Sequence, residues 1–231
     1  MRATGPLLVI DTATTRAVIA LGRADGTLIE RRDWVAGYRH GEELLLRIEA
    51  LLADAGQDRA GLGGIIVGTG PGAFTGLRVG IATAKGLAHA LRLPIVGVPT
   101  AAALLAAAAT GAGDPGRFAL LQPAGPNDRV LSRPGQPGVI LPGVAEPGMG
   151  HGERLVAVDL DGRAPAEAAA LGATAQAGLA AALLAAGAAR FASGTPDDLA
   201  SLVPEYVTLP RGVLAALPER AVEMTGGEAR P

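Results

Sequence analysis

The sequence contains no cysteine and very few aromatic residues. The absence of cysteine excludes disulfide bonds, zinc sites built on thiolates and a cysteine nucleophile. Aromatic residues make up only 3% of the chain, although 49% of its residues are apolar. The core of this 231-residue protein must therefore be built mainly from alanine, leucine, valine and isoleucine.

The sequence also lacks an excess of charge of one sign and a long apolar run. The formal net charge is −2, and no basic run marks a path for a phosphate backbone, so direct binding of nucleic acid is disfavoured. Residues 7–10 are too few for a signal sequence. The apolar stretch 177–189 falls short of the ~20 residues that span a bilayer. We expect a soluble chain.

Short apolar runs separated by Asp, Gly and Pro predict alternating strands and helices. Strands are predicted at 7–10, 17–21, 27–35, 64–67, 95–98, 118–121, 129–131, 139–141 and 155–158, and helices at 42–55, 75–91, 100–109 and about 165–186. A hairpin-rich start followed by crossover units implies an α/β fold with a mixed sheet flanked by helices. Because Pro and Gly crowd residues 111–152, we divide the chain into an N-terminal lobe, 1–110, and a C-terminal lobe, 111–231.

A glycine-rich turn at residues 68–76 separates a predicted strand from a helix. Its glycines allow close backbone approach, Thr75 can cap the helix, and a helix start of this kind can hold an anion. The turn lacks the Gly-Lys-Ser/Thr ending of a Walker A loop and the spacing of a dinucleotide fingerprint. A structural turn is therefore preferred over weak anion binding for Asp11, Gly70, Gly72, Thr75 and Arg78.

The two helices next to this turn carry a surplus of apolar and small residues. Gly76, Gly80 and Ala84 recur every four residues, which lets another helix approach closely, either from the same chain or from a partner. Leu45 and Leu46 widen the apolar arc of helix 42–55 beyond one core face, which favours a partner. The predicted partner-binding residues are His40, Leu45, Ile48, Leu52, Gly76, Leu77, Gly80, Ile81, Ala84 and Lys85.

No catalytic or metal-binding residue is predicted. His40, His89 and His151 each lack a second histidine at metal-ligand spacing. Asp11, at the end of the first strand, is the carboxylate best placed for catalysis, because this position can hold magnesium and phosphate in actin-like ATPases. The other interpretation is a structural aspartate that closes the turn at 12–15.

Several segments together resemble the bacterial TsaB (YeaZ) family: residues 8–14, 86–88, 96–98 and the string Gly-Pro-Gly-Ala-Phe-Thr-Gly-Leu-Arg at 70–78, with a weaker match at 204–207. The resemblance implies an actin/Hsp70-like (ASKHA, ribonuclease H-like) two-lobed fold. It further implies a non-catalytic scaffold subunit in the synthesis of N6-threonylcarbamoyladenosine, next to the anticodon of ANN-decoding tRNAs.

The same resemblance implies partners. In that family the protein pairs with the transferase TsaD through the helices that are here 42–55 and 75–91, and the ATPase TsaE joins them. ATP and magnesium are used by the complex, no cofactor is assigned to this chain, tRNA is contacted only indirectly, and the location is cytoplasmic with no membrane. A homodimer that uses the same face in the absence of TsaD is a further alternative. The alternative function is an actin-like ATPase or kinase, or a metallopeptidase-like enzyme, of the same superfamily.

The second half departs from the family pattern. Two prolines interrupt residues 121–130, where the family has an Asp-Ala-Arg-like strand, and the arginine that follows the family's tyrosine is displaced to Arg211 or lost. The sequence therefore leaves open whether the second lobe contacts TsaE or a nucleotide.

Overall fold

The computed structural model describes residues 5–36, 40–110 and 113–207, except for the side chains of His40 and Glu42. Its strands are β1 (Leu7–Asp11), β2 (Arg16–Gly22), β3 (Leu28–Val35), β4 (Gly64–Gly70), β5 (Ile95–Pro99), β6 (Phe118–Pro123), β7 (Arg129–Ser132), β8 (Val139–Leu141) and β9 (Arg154–Ala157). Its helices are α1 (His40–Asp54), α2 (Phe74–Leu91), α3 (Thr100–Ala109) and α4 (Ala166–Ala192). Arg211, which the sequence comparison used, lies outside the described residues.

The first sheet has the strand order β3-β2-β1-β4-β5. Strand β1 pairs antiparallel with β2 and parallel with β4, and β4 pairs parallel with β5. Every residue of β1 and β4 is buried because both faces of the sheet are covered, which explains their continuous apolar runs. On one face Leu8 packs with α1 and α2, and on the other Val9 packs with α3 and α4.

The second sheet has the order β8-β7-β6-β9 and is also mixed, since β6 is parallel to β9 and antiparallel to β7. One of its faces packs on α3 and α4 through Phe118 and Leu120. A smaller apolar cluster around Leu121 and Leu131 lies on the opposite face. Two mixed sheets flanked by helices confirm the predicted α/β fold class. The boundary between residues 110 and 111 stays a prediction.

Helix α4 is longer than predicted, because it continues to Ala192 rather than ending near Ala186. Its 27 residues and mean hydropathy of 1.6 would suit a membrane span by length and composition, so the expectation that this apolar segment is too short was wrong. However, Leu179, Leu183 and Leu184 are fully buried against the rest of the chain. The helix is therefore part of the protein core.

Glycines set how closely α4 approaches its neighbours. A Cβ atom at Gly172 would overlap the carbonyl of Ala157 in the second sheet, and one at Gly187 would overlap Ile66 in the first. A Cβ atom at Gly178 would lie 2.9 Å from that of Ala107 in α3. The small residues of α4 thus allow one helix to pack against both sheets and against α3.

The chain returns to the first sheet after α4. Asp197 forms a bridge with Ile95 on edge strand β5, and its Oδ2 accepts a hydrogen bond of 2.7 Å from the amide of Gly97. Arg190 near the end of α4 holds the same carboxylate through a 2.7 Å ion pair, and the pKa of Asp197 is held below its usual value although burial opposes this. Residues that come after the second sheet in the chain therefore pair with the edge of the first sheet.

We predict that Gly187→Ala destabilises the protein by about 1–3 kcal/mol, because the added methyl group must displace Ile66 in a packed core. Ala186→Leu adds more bulk at the adjacent exposed position and should change the free energy of unfolding by less than about 0.5 kcal/mol. Urea denaturation of both variants measures this difference, and equal stabilities would contradict the packing.

Candidate functional site

The glycine turn between β4 and α2 is packed against the loop that follows β1. The amide of Ala73 donates a 2.7 Å hydrogen bond to the carbonyl of Ala13, and a Cβ atom at Gly72 would overlap that carbonyl. Gly70 has a φ of 104°, in the region that favours glycine. These glycines therefore have structural reasons to be present that need no ligand.

Thr75 does not cap α2, so that prediction was wrong. The helix begins one residue earlier, at Phe74, and its N-cap residue Ala73 has no side-chain cap hydrogen bond. Arg78 is also engaged by the protein, because its Nε donates to the hydroxyl of Tyr206 at 2.9 Å and its guanidinium lies 3.8 Å from the ring centroid of Phe74. Anion binding by these residues stays a prediction.

The Asp11 carboxyl group is fully buried at the end of β1. Its Oδ1 accepts from the amide of Ala13 at 2.9 Å, and its Oδ2 accepts from the hydroxyl of Thr100 at 2.6 Å. A Cβ atom at Gly68 would overlap Oδ2, so β4 closes the remaining side. Burial raises the pKa of Asp11 to about 6, although both hydrogen bonds oppose this shift. The geometry is that of a structural aspartate joining β1 to α3.

Most of the predicted partner-binding residues on α1 and α2 face the core of this chain. Their side chains, or in the case of glycine their backbones, are buried: Ile48, Leu52, Gly76, Leu77, Gly80, Ile81 and Ala84. Lys85 is half-buried and donates to the carbonyl of Leu202 at 3.2 Å. His40 is the first residue of α1, and its side chain lies outside the described part of the structure.

Gly80 packs against Thr12 of the same chain. A Cβ atom at Gly80 would overlap the Thr12 hydroxyl, which in turn donates a 2.7 Å hydrogen bond to the carbonyl of Gly76. This corrects the expectation that a partner helix is the close neighbour of Gly80. The periodicity of small residues indicated that Gly80 has a close neighbour, but it could not show whether that neighbour belongs to the same chain or to a partner.

Other residues of the same two helices are exposed. Leu45 and Leu46 on α1 keep 50% and 67% of their surface exposed. On α2, Ala82, Gly86 and Ala90 are exposed, and a Cβ atom at Gly86 would meet no atom within 4 Å. We call these five the exposed α1/α2 residues; among the predicted partner-binding residues, Leu45 belongs to them.

The C-terminal segment contributes contacts that sequence reasoning missed. The Glu205 carboxylate accepts from the hydroxyl of Thr69 at 2.8 Å, and its amide donates to the carbonyl of Thr69 at 2.8 Å. The rings of Phe74 and Tyr206 lie 5.4 Å apart. The only sequence signal was the weak family match at 204–207.

A cavity of about 370 Å³ lies between the two sheets' ends and is lined by both lobes. Asp159 at its edge accepts from the amide and hydroxyl of Thr15 at 2.7 and 2.6 Å, which ties the lobes together. Gln122 is among the lining residues, and its buried Oε1 has no hydrogen-bond partner among the described residues. No lysine or arginine is among the residues that line the cavity in the described ranges, so this lining does not favour a phosphate.

Within residues 5–36, 40–110 and 113–207, no group of three or more His, Asp or Glu side chains could hold a metal ion.

Comparisons with known proteins agree with the sequence resemblance. Residues 34–139 match the family model of TsaD, tRNA N6-adenosine threonylcarbamoyltransferase. The tRNA threonylcarbamoyladenosine biosynthesis protein TsaB of Escherichia coli is 36% identical over 94 residues, which cover 41% of this chain and 40% of that protein. An uncharacterized protein of Mycobacterium tuberculosis is 42% identical over 93 residues, covering 40% of this chain and 44% of the relative. The chain thus matches less than half the length of these curated relatives.

The fold is similar to that of YeaZ from Pseudomonas aeruginosa. The TM-score is 0.68 at 25% sequence identity, and the match covers 88% of this chain and 100% of the YeaZ chain. This likeness confirms the predicted actin/Hsp70-like two-lobed fold and the resemblance to the TsaB (YeaZ) family.

Two glycines of α2 provide a matched pair of variants. We predict that Gly80→Ala destabilises the protein by about 1–3 kcal/mol, because Thr12 must give up its hydrogen bond to make room. Gly86→Ala should instead stabilise it by about 1 kcal/mol, since alanine is the better helix former and the site is open. Thermal and urea unfolding of both variants measure the effects, and shifts of the same sign would contradict the assigned orientation of α2.

The raised pKa of Asp11 predicts a specific pH dependence. Its folded pKa of about 6 exceeds the ordinary value of 3.8, so ionisation of Asp11 destabilises the folded state. This loss of stability is absent below about pH 4, grows between about pH 4 and pH 6, and is constant at higher pH. Asp11→Asn removes this cost. The free energy of unfolding of Asp11→Asn minus that of the wild type should rise by up to about 3 kcal/mol between pH 4 and pH 7.

Urea denaturation across that pH range tests the prediction for Asp11. The same substitution at the exposed Asp161 controls for the loss of one negative charge. If the difference in free energy of unfolding between Asp11→Asn and the wild type does not vary with pH, burial does not raise the pKa of Asp11.

Proposed function

We propose that this chain, which resembles the TsaB (YeaZ) proteins in sequence and fold and matches the TsaD family model over residues 34–139, is a non-catalytic scaffold subunit for the synthesis of N6-threonylcarbamoyladenosine in ANN-decoding tRNAs. In this proposal the chain forms a heterodimer with TsaD and cooperates with the ATPase TsaE in the cytoplasm. ATP and magnesium serve the complex rather than this chain.

The exposed α1/α2 residues are the observation that carries the proposal. Leu45 and Leu46 place two large apolar side chains in solvent on one helix, and exposed apolar surface of this kind is typical of a protein interface. On the neighbouring helix, Gly86 lies between Ala82 and Ala90 at steps of four, with open space above it. A row of small exposed residues lets the backbone of a partner helix come close.

The buried residues of the two helices have a supporting role. Ile48, Leu52, Ile81 and Ala84 fix α1 and α2 on the first sheet, so the exposed residues are presented on a rigid surface. A preorganised surface pays less conformational entropy on binding than a mobile one. The core residues thus contribute to partner binding by position rather than by contact.

The environment of Asp11 supports a scaffold over an enzyme. An actin-like ATPase or kinase would use this carboxylate to hold magnesium near a phosphate, which requires open coordination positions. Here both oxygens accept hydrogen bonds and the carboxyl group is fully buried. The near-neutral net charge of −2 further supports a subunit that contacts tRNA only through its partner.

Variants of the exposed α1/α2 residues test the proposal. With TsaD from the same organism, Leu46→Arg and Gly86→Arg should each weaken the complex by at least about tenfold, because a charge would be buried in an apolar interface. Ala186→Arg, an exposed position on α4, should change the affinity by less than about twofold. Isothermal titration calorimetry gives the affinities, and reconstituted tRNA modification gives the activity.

Two outcomes would contradict the proposal. Full tRNA modification by TsaD and TsaE without this chain would remove the need for a scaffold. Unchanged affinity in both arginine variants would place the interface elsewhere. Light scattering without TsaD tests a homodimer on the same surface, which the two variants should also dissociate.

A further inference from the structure

Arg129 is a charged residue on an apolar face of the second sheet. In the β6–β7 pairing, Leu121 is opposite Leu131 and Pro123 is opposite Arg129. Because side chains alternate along a strand, Arg129 shares its face with Leu131 and lies at the end of the small cluster formed by Ala119, Leu121 and Leu131. Only 8% of its surface is exposed.

The guanidinium group of Arg129 is poorly satisfied. Its Nη2 donates a 2.6 Å hydrogen bond to the carbonyl of Ala145, while its buried Nε has no hydrogen-bond partner among the described residues. Within residues 5–36, 40–110 and 113–207, no carboxylate lies within ion-pair distance of Arg129. A guanidinium keeps its charge in proteins, and a buried charge without a counter-charge is costly.

A cavity of about 610 Å³ adjoins this arginine. Leu121, Leu155 and Val144 give it apolar walls, and Arg163 and Glu146 are the other charged residues in its lining. Arg163 donates to the carbonyl of Pro126 at 3.3 Å and has no carboxylate partner in the described ranges. A space of this size, mostly apolar with a few polar groups, is typical of a small-molecule site.

We propose that this cavity binds a small organic anion, whose charged oxygens pair with Arg129 and whose apolar body contacts Leu121 and Leu155. The planar guanidinium matches a carboxylate or a phosphate oxygen pair. Because leucine side chains line the cavity, the ligand should also have an apolar part. An inorganic anion could pair with Arg129 but would leave the leucine side chains without a contact. The proposal concerns the second lobe only and is independent of the exposed α1/α2 residues.

Benzoate is a suitable probe, because it joins one carboxylate to an apolar ring. Titration calorimetry of the full chain should show saturable 1:1 binding of benzoate, weaker binding of inorganic phosphate and none of benzyl alcohol, which has the ring without the charge. Arg129→Met should weaken benzoate binding by at least about tenfold, as expected for the loss of charge-assisted hydrogen bonds. Arg154→Gln, on strand β9 of the same sheet and outside the cavity lining, should change it by less than about twofold.

A substitution of Glu146 tests whether the counter-charge of Arg129 is a bound ligand or the Glu146 carboxylate of this chain. If it is a bound ligand, Glu146→Gln removes a competing negative charge from the cavity, so benzoate binding should stay equal or tighten. Arg129→Met should then keep or raise the melting temperature of the free protein, since it removes an unpaired buried charge.

Four results would overturn the proposal: no saturable binding of benzoate, equal binding of benzyl alcohol, wild-type affinity in Arg129→Met, or equal destabilisation by Arg129→Met and Glu146→Gln. The last result would identify Glu146 as the partner of Arg129 in solution.

Discussion

The close packing of α4 against both sheets is the contact on which the rest of the structure depends. Gly172 admits the backbone of Ala157 from the second sheet, and Gly187 admits Ile66 from the first. Because one helix fits both surfaces, the two lobes have a fixed separation, and Asp159 reaches the turn at Thr15. The alanine and glycine content of this segment, which gives it a membrane-like hydropathy, follows from that packing.

Local patterns in the sequence predicted the secondary structure well, for identifiable reasons. Strands β1, β2 and β5 are built on short apolar runs that end at Asp, Gly or Pro, so their limits differ from the predicted ones by at most one residue. The end of α4 was missed because Gly187 directly follows the predicted end, whereas in the structure this glycine packs against Ile66 and the helix continues past it to Ala192. Thr75 was misassigned because threonine is a common N-cap residue. In the structure the hydrogen bond from Ala73 to Ala13 places the start of the helix one residue earlier.

The candidate site was less accessible to sequence reasoning, because its contacts join residues that are far apart in the chain. Helical periodicity showed that Gly80 faces a close neighbour, but only the fold identifies Thr12 as that neighbour. The hydrogen bonds of Asp159 to Thr15 span 144 residues and have no local signal. Buried Arg129 likewise looked like an ordinary strand residue until the pairing with β6 placed it among leucines.

The return of residues 195–207 to the first sheet affects how the protein is made. During synthesis on a ribosome, strands β1 to β5 emerge first, but edge strand β5 has no neighbour on its outer side until Asp197 arrives a hundred residues later. The part of the sheet face that α4 covers also stays exposed until α4 has been synthesised. Until these residues have been synthesised, the nascent chain exposes the outer edge of β5 and the part of the sheet face that α4 covers, and surfaces of this kind are typical binding sites for chaperones.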